Sequence, residues 1–253
     1  MFQLESNGTV SVKLESMTQN PMTLADAPAL LLSQGDTDKA AARGTILFYH
    51  GLTAQKESNL NEYRVLTDAG FLVVALDNAG HGARRLPDFA ARFHPSNPNS
   101  GTEFLNLVRE TALETPKVVD ALLEQGLAHK DRLGIAGWSM GGYITYRALL
   151  AEKRFKAAVT IVGSPEWRLP LPDSPHLHPE AFYPVALLSQ VGEHDPVVPP
   201  AGARRFYKVL EPYYATQPER VALVEYPGMG HHPSAADAEE IQRRTVTWFE
   251  AYL

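Results

Sequence analysis

Apolar residues fall in short runs along this chain, separated by longer stretches of mixed polarity. The region to about Gln34 alternates apolar and polar residues at Val10, Val12 and Leu14, then reaches an apolar run, Ala29–Leu32. Alternation of period two reads as strand, so an antiparallel opening to a sheet is expected. Further runs follow at Thr45–His50, Phe71–Asp77, Arg132–Gly137, Ala157–Gly163, Pro184–Gly192 and Val221–Tyr226. Most are aliphatic or β-branched at consecutive positions, as strands buried on both faces must be. Between them, Asn59–Ala69, Phe104–Gln125, Gly141–Ala151, Ala201–Tyr214 and Ala236–Tyr252 space apolar residues three to four apart, the helical period.

Strand–helix alternation over most of the length predicts an α/β fold with a doubly wound, mostly parallel central sheet flanked by helices. Ligands of such sheets bind at the carboxyl ends of the strands, so candidate chemistry is sought in the loop after each run. Two stretches break the rhythm. Ala83–Ser100 is rich in Pro, Arg and Asn, and a surface excursion is its favoured reading. Ser164–Tyr183 contains five prolines; a short cap or lid and a surface excursion stand level there. With no internal repeat or linker, residues 1–253 are expected to form one domain, with 164–183 as its candidate cap.

Composition narrows the function classes. The 253 residues are 44% hydrophobic and 21% charged, enough for one large core. A net charge of −6 argues against nucleic acid as a partner. The absence of cysteine excludes disulfides, thiolate metal sites and a cysteine nucleophile. The opening MFQLESNGTVSVKLES lacks the pattern of a secretory signal, and no apolar run approaches the roughly 18 residues of a membrane span. A cytoplasmic protein without a membrane partner is expected.

GWSMGG, Gly137–Gly142, follows one run and precedes a helical pattern. G-x-S-x-G in this context forms a sharp strand-to-helix turn that projects its serine, here Ser139, above the sheet. Serine needs a histidine base, and the histidine needs an acid; on this architecture they follow in the order Ser, acid, His. GEHDPVVP offers Asp195, with Glu193 as the alternative and His194 as a loop residue. PGMGHHP offers His231, with His232 as the alternative. A metal role for the His pair is discounted, because no zinc-type spacing such as H-E-x-x-H accompanies it. A tetrahedral intermediate also needs N–H donors. Met140, after the serine, and Leu52, in HGLTAQK, are the candidates for this oxyanion hole, and His50 is expected to buttress the second loop. Trp138, Trp167 and Phe182 are candidate substrate-binding aromatics.

These segments, with DNAGHG at Asp77–Gly82, resemble the α/β-hydrolase superfamily in kind and order over nearly the whole chain. HGLTAQKES is similar to the HGxTxxK loops of small bacterial carboxylesterases, including cinnamoyl-type esterases. GWSMGG and the GxxDxxVP segment resemble prolyl-oligopeptidase-like and dienelactone-hydrolase-like catalytic domains. Dienelactone hydrolases commonly use cysteine, and the family's dehalogenases use aspartate, where this chain has Ser139. The resemblance implies a serine carboxylesterase acting on a small-molecule ester through an acyl-enzyme, with no metal or organic cofactor. Peptide or amide hydrolysis is the alternative; relatives with that activity usually add an N-terminal propeller, for which this chain has no room. A thioesterase and a non-catalytic binding module are weaker readings.

Overall fold

The computed structural model describes residues 17–169 and 171–253. The alternation at Val10, Val12 and Leu14 lies outside the described residues. Strands β1 (Thr18–Leu24) and β2 (Ala27–Ser33) form an antiparallel hairpin, turned by Ala25 and Asp26 at φ 46° and 71°. Positive φ at both turn residues matches the right-handed twist of a hairpin. Pro21 is tolerated in β1 because that strand is the sheet edge.

The chain continues as α1 (Thr37–Arg43), β3 (Thr45–Tyr49), α2 (Leu60–Asp68), β4 (Leu72–Leu76), α3 (Phe89–Arg92), α4 (Ser100–Glu124), β5 (Leu133–Trp138) and α5 (Met140–Ala151). It ends with β6 (Ala157–Ile161), β7 (Ala186–Gly192), α6 (Ala201–Leu210), β8 (Val221–Tyr226) and α7 (Ala235–Tyr252). The sheet order is β1-β2-β4-β3-β5-β6-β7-β8, parallel from β4 to β8. Alternate residues supply opposite faces. Leu47, Val74 and Ile135 pack with α4, α5 and α6, while Phe48, Val73 and Val159 pack with α2 and α7. Both faces are covered, which is why the runs are apolar at most positions. Among the described residues, no helix is long and apolar enough to cross a membrane.

Three elements differ from the pattern reading. Helix α1 was not expected; it is seven residues long, and Asp36 caps it by accepting from the Asp38 and Lys39 N–H groups. Helix α4 begins at Ser100 rather than Phe104, and the helical stretch from Ala201 gives way to a 3₁₀ turn at Glu211–Tyr214. Among the described residues of 164–183, the regular elements are two short 3₁₀ turns. Asp173 pins them down: its Oδ2 accepts from Arg109 Nε of α4 at 2.8 Å and Arg147 Nε of α5 at 3.1 Å.

Candidate active site

The carboxyl ends of β3, β5, β7 and β8 converge on one cavity. At the end of β5 the chain turns so sharply into α5 that Ser139 takes φ 53° and ψ −112°. A non-glycine residue there is strained and persists only when its surroundings fix it. Those surroundings are backbone: Ser139 N–H donates to Ile161 O at 2.8 Å, and Ser139 O accepts from Gly142 N–H at 2.8 Å and Tyr143 N–H at 3.2 Å. A side chain at Gly137 would overlap the Gly141 carbonyl, and one at Gly141 would overlap the Tyr49 carbonyl. The glycines are therefore demanded by the close approach of helix to strand.

His231, in the loop after β8, places Nε2 3.0 Å from Ser139 Oγ and Nδ1 2.7 Å from Asp195 Oδ2. Asp195, in the loop after β7, is buried, and its other oxygen accepts from Val197 and Val198 N–H at 2.8 Å each. The carboxylate fixes the tautomer. With Nδ1–H donating to Asp195, the Nε2 lone pair faces the serine hydroxyl. Residues 36 and 92 positions apart from His231 are thus joined in one hydrogen-bonded chain. The alternatives stand aside. Glu193 accepts from Gly228 N–H, His194 is exposed, and His232 sits edge-on to His231 on the cavity wall.

The loop after β3 lies against the serine turn; a Cβ on Gly51 would be 3.6 Å from Ser139 Cβ. Among the described residues, neither Leu52 N–H nor Met140 N–H has an acceptor. His50 holds this loop, with Nδ1 2.8 Å from Gly51 O and Nε2 accepting from Asn78 N–H at 3.1 Å. Burial pushes the His50 imidazole down to about 4, so it is neutral.

The cavity holds about 700 Å³, and Ser139 and His231 open into it. Trp138 lines it as expected from the sequence. Two other aromatics do not. Phe182 is wholly buried, packed edge-on to Tyr146 and Phe206 beneath α5 and α6. Trp167 lines a smaller hollow of about 170 Å³ next door. Both lie in 164–183, whose descent onto the helices no local pattern announces. In their place Phe93, Phe104, Tyr143 and Arg168 form walls that the sequence reading missed. Phe93 also corrects the reading of Ala83–Ser100 as a plain surface excursion. An apolar Phe89–Phe93 pair inside that polar stretch was the available signal. Among the described residues, no cluster of three or more metal-ligating side chains exists.

Comparison with known proteins gives the family. YitV of Bacillus subtilis (strain 168), which its name describes as a candidate esterase, is 30% identical over 239 residues, covering 82% of this chain and 89% of YitV. The chain belongs to the α/β-hydrolase superfamily. Residues 106–176 of this α/β-hydrolase match the prolyl oligopeptidase family. Its fold is that of TT1662 from Thermus thermophilus (TM-score 0.77, 22% identity, 93% of this chain and 99% of that one). Dienelactone hydrolase from Anabaena variabilis ATCC 29413 shares it as well (TM-score 0.66, 20% identity, 95% and 99%). So does Pyrococcus horikoshii acylaminoacyl peptidase (TM-score 0.67, 18% identity), of which this chain matches 44%. The α/β-hydrolase is thus an enzyme of the serine hydrolase type, in the dienelactone-hydrolase and prolyl-oligopeptidase-like clan.

Proposed function

We propose that this enzyme is a serine carboxylesterase working through an acyl-enzyme intermediate. The observation that carries the reading is the hydrogen-bonded chain Ser139–His231–Asp195 at the floor of the cavity. Ser139 Oγ attacks the ester carbonyl while His231 Nε2 takes its proton. Asp195 holds the imidazole and stabilises the imidazolium. Leu52 and Met140 N–H receive the oxyanion, the term that usually contributes most to such catalysis. His231 then gives the proton to the leaving alcohol, and a water deprotonated by His231 releases the acid. Residues 164–183 act as a short cap, because Arg168 and Leu169 reach the cavity rim from it. The esterase description of YitV and the full-length match to the Anabaena hydrolase favour ester over peptide.

Fluorophosphonate labelling of wild type and Ser139→Ala, read by intact mass, tests the nucleophile. One adduct on wild type and none on the variant is expected. A panel of p-nitrophenyl esters against aminoacyl and peptidyl anilides tests the bond. Faster turnover of the anilides would replace the esterase reading with a peptidase.

A further inference from the structure

The catalytic cavity is apolar over most of its wall, and among the described residues Arg168 is its one formally charged side chain apart from the histidines. Among the described residues, no carboxylate lines it. Arginines elsewhere on this molecule are mostly paired: Arg84 with Glu114, Arg205 with Glu166, Arg109 and Arg147 with Asp173. Arg168 has no such partner among the described residues; its one hydrogen bond is a long 3.5 Å contact from Nη2 to Val197 O. The exposed Arg168 guanidinium at the rim of an apolar cavity, with no counter-charge among the described residues, is placed for bidentate capture of an oxyanion.

Arg168 also faces a second space. It shares the wall between the catalytic cavity and the smaller hollow with Tyr143 and Val198. That hollow adds a further set of donors. Helix α6 begins there at Ala201 and Gly202, with no side chain capping its first N–H groups. Among the described residues the one carboxylate present, Glu166, accepts from Arg205 Nε at 3.0 Å and Nη2 at 2.9 Å.

We propose that the substrate carries an anionic group, separated by an apolar spacer from the ester carbonyl, and that Arg168 receives that group at the cavity rim, where the two spaces meet. This specificity assignment rests on the catalytic reading given above. Carboxylate and phosphate share the required chemistry.

The test compares p-nitrophenyl esters of C4 to C8 acids with their ω-carboxyl and ω-phosphono counterparts, using wild type, Arg168→Gln and Arg168→Lys. The readout is the charged-to-neutral ratio of kcat/KM. Wild type should favour one charged series by about tenfold or more, with an optimum chain length. Arg168→Gln should lower the ratio by about 10–100-fold and Arg168→Lys by less, and salt should erode it. A ratio unmoved by Arg168→Gln would overturn the proposal; a purely structural role would depress both series alike. Should wild type hydrolyse no ester, the catalytic reading fails separately. Binding of monomethyl adipate and of phosphonobutyrate to Ser139→Ala and to Ser139→Ala/Arg168→Gln then decides the anion site. Equal affinities would overturn it, and at least tenfold weaker binding by the double variant would support it.

Discussion

Asp77 and Lys56 are joined twice: Oδ1 accepts from the Lys56 N–H at 2.9 Å and Oδ2 from its ammonium at 3.1 Å. Oδ2 also accepts from Ala83 N–H. Burial raises the Asp77 carboxyl, but these hydrogen bonds and the lysine charge outweigh it and hold the group below the usual range. The pair fastens the loop carrying Leu52 to the loop after β4. Asp77→Ala leaves the Lys56 and Ala83 N–H groups without their acceptor and Lys56 Nζ with Glu57 as its remaining carboxylate partner. A loss of about 3 kcal/mol is expected in urea unfolding, together with a kcat reduced by about tenfold or more. Wild-type kcat in a destabilised variant would show that the pair supports the fold without positioning the loop.

His50 makes stability depend on acidity. Its imidazole titrates near 4 when folded and near 6.5 when unfolded, because burial disfavours the charged form. The contribution is fully present above pH 6.5 and is lost as pH falls towards 4. That window spans up to about 3 kcal/mol. His81, buried against it with rings 5.3 Å apart, is lowered for the same first cause. Denaturant unfolding from pH 7 to 4 should give His50→Gln a shallower pH slope than wild type. Parallel slopes would refute the assignment.

The Asp195–His231 contact predicts that Asp195→Asn keeps the fold and loses turnover. An amide in place of the acceptor favours the other imidazole tautomer, which cannot accept the serine proton. A fall in kcat of about 10³–10⁴-fold is expected, with an unchanged circular dichroism spectrum. A loss below tenfold would point to Glu193 or another acid.

Gly141 has no space for a methyl group against the Tyr49 carbonyl. Gly141→Ala must push α5 away from β3, at about 1–3 kcal/mol or more. A lowered melting temperature and slower fluorophosphonate labelling should appear together, because α5 carries Met140. Labelling at the wild-type rate in a destabilised variant would separate packing from catalysis.

How much of this was legible beforehand follows from the range of each interaction. Thr45–Tyr49, Leu133–Trp138 and Ala186–Gly192 could be read as buried strands because consecutive apolar residues have one economical fate in a covered parallel sheet. Ser139, Asp195 and His231 could be picked out as candidates because each follows the end of a strand, and a parallel sheet aligns strand ends; the structure brings the three side chains within hydrogen-bond reach of one another. Helix α1 escaped because seven residues with only Ala40 and Ala41 buried carry too weak a period.

The walls of the cavity belong to the tertiary structure. Phe104 meets Tyr143 edge-on at 5.1 Å only because α4 crosses α5, and Phe93 arrives from a polar loop. Trp167 and Phe182 stand fifteen residues apart on one crossover, yet one lines the side hollow and the other fills the core. Between them, Asp173 ties the crossover to α4 and α5 through Arg109 and Arg147. Strand burial and the loops that bear chemistry are set by local pattern, which the sequence states directly. Pocket shape is set by side chains distant in sequence competing for one space, and only packing decides that competition.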